Sequence, residues 1–213
     1  MCEPTAILRW PAAGADHMKP RAKPTSPSRT AHVVRIIGGQ WKRTRLPVSD
    51  KPGLRPTPDR VRETLFNWLG QDLTGWRCVD AFAGTGALGL EAGSRGAAEV
   101  LLVEQDSQLA TQLRDVLARL GAAAVKVQRA NGLSVLGELA PGSIDLIFLD
   151  PPFDSGLFEK ALAAAAPALD SEGLIYLEAP AAWDDAKLEP YGLAVRRHLR
   201  AGAVHAHLLG RAA

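Results

Sequence analysis

The sequence predicts an α/β fold: a mainly parallel, doubly wound Rossmann-like sheet with an antiparallel edge pair and an N-terminal β-hairpin extension. Three observations predict it. Short apolar runs alternate with helical stretches from residue 78 onward, as βαβ units require. A glycine-rich segment, Gly84–Gly89 ("GTGALG"), joins the first of those runs to the helix after it. The chain closes on two strand-like runs whose short spacing suits an antiparallel pair rather than a crossover.

Residues 1–31 are rich in Pro, Ala, Ser and basic side chains without sustained periodicity and are expected to form a disordered basic extension. Residues 32–56 are expected to form a β-hairpin and linker. Its two β-rich runs, Val33–Ile37 and Gln40–Leu46, flank Gly38-Gly39, a two-residue turn signal. Residues 57–213 form the expected Rossmann-like domain. A helix is predicted with Thr57 as N-cap, Pro58 at its first position and Gly70 as its stop, and Val61, Leu65, Phe66 and Leu69 share one face. The predicted sheet strands are Cys78–Phe82, Val100–Val103, Val125–Val127, Ile144–Leu149 and Leu174–Leu177. The intervening helices cover Ala87–Ser94, Ser107–Leu120, Gly132–Leu139 and Leu157–Ala166, and the edge pair is Leu193–Leu199 with Val204–Leu209.

With 213 residues and 46% hydrophobic content the chain can bury one sizeable core. It has no apolar run of bilayer-spanning length and no signal-peptide pattern at its start, so a reducing cytoplasm is the expected compartment. Cys2 and Cys78 suggest neither a disulfide nor a Cys-based metal site. The net charge is +2, but residues 1–62 hold 13 Lys/Arg against 4 Asp/Glu, and the remainder 12 against 19. A basic arm on an acidic body suggests a polyanionic partner. Arg35, Lys42, Arg43, Arg45 and Arg55 are the candidate phosphate contacts and Trp41 the candidate stacking ring; a merely solubilising hairpin would carry the same charges.

Gly84, Gly86 and Gly89 satisfy G-x-G-x-x-G, and Glu104 follows 20 residues after the first glycine, where an acid can meet a ribose. Alone, this suits a nicotinamide dinucleotide as well as any other adenosine cofactor. Asp80, ending the strand before the loop, distinguishes them: it would repel a pyrophosphate and attract the sulfonium and ammonium groups of S-adenosylmethionine. Asn131, after the third strand, can contact adenine or cap the next helix.

The run "IFLDPPFD" (Ile147–Asp154) ends a buried strand on Asp150, Pro151, Pro152 and Phe153. Prolines neither donate to a sheet nor continue a helix, so the strand stops there, at the carboxyl ends where ligands of open α/β sheets sit. An exocyclic base amine is a poor nucleophile because its lone pair is delocalised. A carboxylate and a proline-fixed carbonyl accepting its two N–H bonds would aim that lone pair and stabilise developing positive charge, while Phe153 offers an extruded base a face.

In order and spacing, "RIIGGQWKRTRLPV", "GLRPTPDRVRETLFNWL", "DAFAGTGALGLEA" and "FLDPPF" resemble the RsmD family of bacterial 16S ribosomal RNA guanine-N2-methyltransferases, over about residues 33–209. The hairpin and "RPTPDRVRE" are more specific than the two widespread methyltransferase motifs. The resemblance implies a class I methyltransferase fold, S-adenosylmethionine as methyl donor and 16S rRNA as substrate, within a small ribosomal subunit or assembly intermediate. It implies cofactor positions at Asp80, Gly84, Gly86 and Glu104, an amino-methylating site at Asp150, Pro151, Pro152 and Phe153, and an element closing over the cofactor at Arg55–Glu63. Residues 1–31 depart from the family's compact pattern, with Met18 as an alternative start.

The rival expectations are an N6-adenine or protein-glutamine methyltransferase, a dehydrogenase, and a non-catalytic RNA-binding protein on a relic cofactor fold. Asp150 rather than Asn weakens the first two, and the retained loop glycines and Asp150 weaken the last. Of His17, His32, His198, His205 and His207, the pair His205 and His207 share one strand face. No third ligand is visible near them in the sequence, so no metal is predicted.

Overall fold

The computed structural model describes residues 34–48 and 57–212. The expected basic extension, the linker after the hairpin and Arg55 lie outside them. A central seven-stranded sheet has the order β5-β4-β3-β6-β7-β9-β8. Its strands are β3 (Arg77–Asp80), β4 (Glu99–Val103), β5 (Val125–Gln128), β6 (Ile144–Leu149), β7 (Leu169–Ala179), β8 (Leu193–Ala201) and β9 (Val204–Arg211). Neighbours from β5 to β7 are parallel, and β9 runs antiparallel to both β7 and β8. The chain winds outward from β3 through β4 to β5 and then crosses back to β6, so the switch point lies between β3 and β6.

The helices follow from pattern and caps. In α1 (Asp59–Leu69), Val61, Leu65, Phe66 and Leu69 are buried, and left-handed Gly70 (φ 94°) ends it. Thr57 is not its N-cap: Pro58 holds that place without a side-chain cap bond, and Thr57 is buried elsewhere. Helix α2 (Ala87–Ser94) is buried on every side. Helix α3 (Ser107–Leu120) starts on Asp106, whose carboxylate accepts from Gln108 and Leu109 amides, and buries Leu109, Ala110, Leu113 and Val116. Helix α4 (Gly132–Glu138) and α5 (Phe158–Ala168) cover the other side of the sheet with α6 (Asp185–Leu188). No helix among the described residues is long and apolar enough to cross a membrane.

Two apolar layers enclose the sheet. Cys78, Leu146, Phe148, Tyr176 and Leu208 point into the layer with α1, α2 and α3; Val79, Ile147, Ile175 and Leu209 point into the layer with α4 and α5. Burial raises the Cys78 thiol pKa to about 12.

The hairpin differs from the expected one. Strands β1 (Val34–Arg35) and β2 (Arg45–Leu46) are short, with Val34 opposite Leu46 and Arg35 opposite Arg45. Gly38-Gly39 is not a two-residue turn; both glycines serve close approach to α2. A Cβ at Gly39 would stand 1.8 Å from the Ser94 carbonyl oxygen, and one at Gly38 2.4 Å from the Arg95 guanidinium. Ile37 and Gly38 amides each donate to the buried Glu91 carboxylate at 2.7 Å, and Gln40 donates to Ser94 O at 2.8 Å. Val34, Ile36 and Leu46 join the same core layer as α1 and α2, so the hairpin is continuous with the catalytic domain.

Candidate active site

Asp80 ends β3 opposite Phe148, and Phe148 lies opposite Tyr176 in β7. Side chains alternate along a strand, so Asp150 and Glu178, two residues beyond Phe148 and Tyr176, follow them onto the α1 side. Three carboxylates thus gather at the carboxyl ends of three adjacent strands, at the switch point.

Their environment is short of positive charge. Asp80 is buried, and its Oδ2 accepts from the Gly89 amide at 3.0 Å while no donor among the described residues hydrogen-bonds Oδ1. Burial raises its pKa to about 7, against the pull of the Gly89 and Phe82 amides and helped by Glu104 and Glu178. Asp150 is only partly screened by its own exposed surface, yet burial first, and then the Glu178 and Asp80 charges, hold its pKa well above the carboxylate range. Glu178 is raised by burial despite hydrogen bonds from Thr57 and Tyr176, whose Oη donates to Oε1 at 2.7 Å, and despite Arg62. Arg62 is the nearby counter-charge, but its guanidinium also donates to Thr57 O and Asp59 and faces Glu91 at 3.6 Å. Among the described residues the other buried cation, Arg95, is bound by Glu91 and Gln71. One added cation would relieve three acids at once.

The glycine loop is shaped by contact and conformation. Gly84 (φ 51°) and Gly86 (φ 75°) take left-handed backbone, and a Cβ on Gly89 would stand 2.2 Å from Leu102. Gly89 therefore lets α2 lie against β4 and Asp80. A side chain at Gly86 would meet Leu113 at 2.6 Å, so that position is closed by the core itself. Glu104 accepts from the Gly84 amide (2.9 Å) through Oε2 and from Asp106 (2.7 Å) through Oε1, fixing the loop to the end of β4. Asn131 caps α4, its Oδ1 accepting from Leu133 and Ser134.

After β6, Pro151 is buried and Pro152 exposed; Phe153 is half-buried in a 3-10 turn, 6.4 Å from Phe158. Ser155 donates to the Pro152 carbonyl, and no donor among the described residues reaches the Pro151 carbonyl. Arg35, Lys42, Arg43 and Arg45 are exposed, and none forms an ion pair among the described residues. Trp41 is not a free ring: it packs on Gly93 of α2, where a Cβ would stand 3.1 Å from it, and its amide donates to Ser94 Oγ. Sequence reasoning missed Glu178 and Tyr176, and read Thr57 as a helix cap and Arg62 only as part of the Arg55–Glu63 element. Glu178 had a legible signal, an acid directly following the apolar run Leu174–Leu177, as Asp150 follows Ile144–Leu149. One premise of the metal expectation needs correction: β8 brings a third histidine, His198, opposite His207.

A Rossmann-like sheet with an acid-lined switch point, a glycine loop and D-P-P-F defines a class I methyltransferase, and S-adenosylmethionine is its methyl donor. The residues fit that cofactor: the unpartnered Asp80 oxygen and the raised acids call for a cationic ligand. Residues 34–210 match the family described as conserved hypothetical protein 95. Ribosomal RNA small subunit methyltransferase D of Escherichia coli (strain K12) is 48% identical over 147 residues, 68% of this chain and 74% of that protein. The Haemophilus influenzae protein of the same name is 42% identical over 150 residues, 68% of this chain and 78% of its own length. The solved structure of yhhF from Escherichia coli superposes with a TM-score of 0.73 at 43% identity, covering 85% of this chain and 99% of that one. A precorrin-6y C5,15-methyltransferase from Geobacter metallireducens, 21% identical with a TM-score of 0.62, shares the fold. The chain belongs to the RsmD family of ribosomal RNA methyltransferases.

Proposed function

We propose that this enzyme transfers a methyl group to the exocyclic N2 amine of a guanine in 16S rRNA, within a small ribosomal subunit or assembly intermediate in the cytoplasm. The observation that carries the reading is the gathering of Asp80, Asp150 and Glu178 at the switch point with one buried oxygen unpartnered. Asp80 takes the cationic amino-acid end of the cofactor, the left-handed backbone of Gly84 and Gly86 shapes the loop around it, and Glu104 meets the ribose. Asn131, with its oxygen committed to the α4 cap, has its amide nitrogen left for adenine. S-adenosylmethionine supplies there a methyl group made electrophilic by its sulfonium.

Asp150 and the Pro151 carbonyl accept the two N–H bonds of the guanine amine and aim its lone pair. As the nitrogen gains charge the Asp150 carboxylate interaction strengthens, and its raised pKa suits it to take the departing proton. The half-buried Phe153 ring supports the extruded base. On the hairpin, Arg35 and Arg45 stand directly opposite each other, an arrangement of like charges that is unfavourable until phosphate lies across it. Lys42 and Arg43 extend that surface, and Arg55, outside the described residues, is a further contact proposed from the sequence. Trp41 serves as the hairpin's anchor on α2 with its remaining face toward RNA.

The test is nucleoside analysis of 16S rRNA from cells with and without the gene. The account expects one N2-methylguanosine to vanish and to return when purified protein and S-adenosylmethionine are added to the deficient subunits. A missing methyl on adenine, or none missing, would overturn it.

A further inference from the structure

We propose that His198, His205 and His207 form a binding site for a divalent transition-metal cation, with Zn²⁺ the best match, on the side of the sheet opposite the carboxylates. The β8–β9 register builds it. His198 lies directly opposite His207, and His205, two residues from His207, shares its face. Leu177, opposite His207 in β7, belongs to the layer with α4 and α5, which separates this cluster from the methyl-transfer site.

One ring nitrogen of each histidine lies within 4.8 Å of the others, and the His198 Nε2 and His205 Nδ1 atoms are 3.0 Å apart. Two nitrogens each about 2.0–2.1 Å from one tetrahedral ion stand roughly 3.3 Å apart, so an ion would take the place of the proton in this His198–His205 hydrogen bond, with the nearly parallel rings turning to aim at it. His207 is set up as the third. Its Nδ1 faces the Leu177 carbonyl at 3.4 Å, the backbone contact that commonly orients a metal-binding imidazole, and this leaves Nε2 as the ligand atom. Nε2 now accepts from the Trp183 amide at 3.0 Å. Metal binding exchanges that contact, and Trp183, on a half-exposed loop, turns its amide to water.

Burial is graded from exposed His198 through half-buried His205 to buried His207, so the ion enters from solvent and water completes its coordination. Three imidazole nitrogens with no carboxylate suit zinc, nickel, cobalt or copper and not magnesium or calcium. A bound ion would cross-link β8 to β9 at the edge of the sheet and release the loop before α6.

The experiment compares the full-length protein with a His198→Ala/His205→Ala variant by calorimetric titration with ZnCl₂ and by melting with and without Zn²⁺. His17, His32 and Cys2 remain in both, so any binding there cancels. Equal melting and equal methyl transfer in EDTA establish that the variant is folded. The wild type should take up one more Zn²⁺ than the variant, with at least about tenfold tighter affinity, and melt higher with Zn²⁺ but not Mg²⁺. Trp fluorescence should change on binding in the wild type alone, as Trp183 lets go of His207. Equal stoichiometry and affinity in the two proteins would overturn the proposal. So would unchanged zinc binding with weakened rRNA binding, which would assign the cluster to the RNA surface.

Discussion

Replacing Asp80 by Asn should make the protein more stable and bind its cofactor less well. The carboxyl is buried, and its pKa of about 7 lies some three units above the value of 3.8 for a free carboxyl. At about 1.4 kcal/mol per unit, ionised Asp80 opposes folding by about 4 kcal/mol above pH 7. The sign follows from linkage: the folded chain keeps a proton the unfolded chain has lost, so the penalty is absent below about pH 4, grows from there to pH 7 and is complete above it. Asn keeps an acceptor for the Gly89 amide but places an N–H₂ group where Oδ1 has no partner, costing about 1–3 kcal/mol. The net expectation at pH 8 is a gain of about 1–3 kcal/mol in urea unfolding that shrinks at pH 5. Losing a charge-assisted contact of about 1.5–3 kcal/mol should weaken S-adenosylmethionine binding by about 10–150-fold in calorimetry. A variant less stable at pH 8, or one with unchanged affinity, would refute the reasoning.

Three further outcomes follow from the same structure. Because a cationic ligand prefers ionised Asp80, cofactor affinity should climb by up to about tenfold per pH unit toward pH 7, with protons released on binding; a flat profile would remove Asp80 from the cofactor pocket. The Arg35→Ala/Arg45→Ala pair should leave stability unchanged or slightly higher and lower the salt slope of rRNA binding by about 1.5, and an unchanged slope would make the hairpin mere solubilising surface. Glu91→Gln should cost about 3 kcal/mol in denaturant unfolding and expose the Ile37 and Gly38 amides to hydrogen exchange, since the buried carboxylate binds both amides and Arg95; wild-type stability would show that these contacts do not hold the hairpin.

The periodic features were the readable ones. Buried parallel strands show as apolar runs and the glycine loop as spacing, so β3, β4, β6 and the switch-point acids Asp80 and Asp150 are where the sequence puts them. Features set by distant partners were not. Gly38-Gly39 has the composition of a tight turn, but its conformation is decided by Ser94 and Arg95, some 55 residues away in the chain. Thr57 has the composition of an N-cap, but its hydroxyl goes to Glu178 on another element. The histidine cluster needs the β8–β9 register, which includes a bulge between Val195 and Arg197. One residue's shift in that pairing would send His198 to the opposite face.

The central claim is that Asp150 acts on the target amine and not on the cofactor. It is tested by single-turnover transfer from labelled S-adenosylmethionine to small-subunit particles lacking the modification, comparing the wild type with Asp150→Ala. The account predicts a variant that keeps most of its cofactor and particle affinity and transfers methyl groups about a hundredfold to a thousandfold more slowly, the loss expected for a preorganised polar contact that strengthens in the transition state. A near-normal rate would contradict it, and cofactor binding lost in step with the rate would move Asp150 into the cofactor pocket.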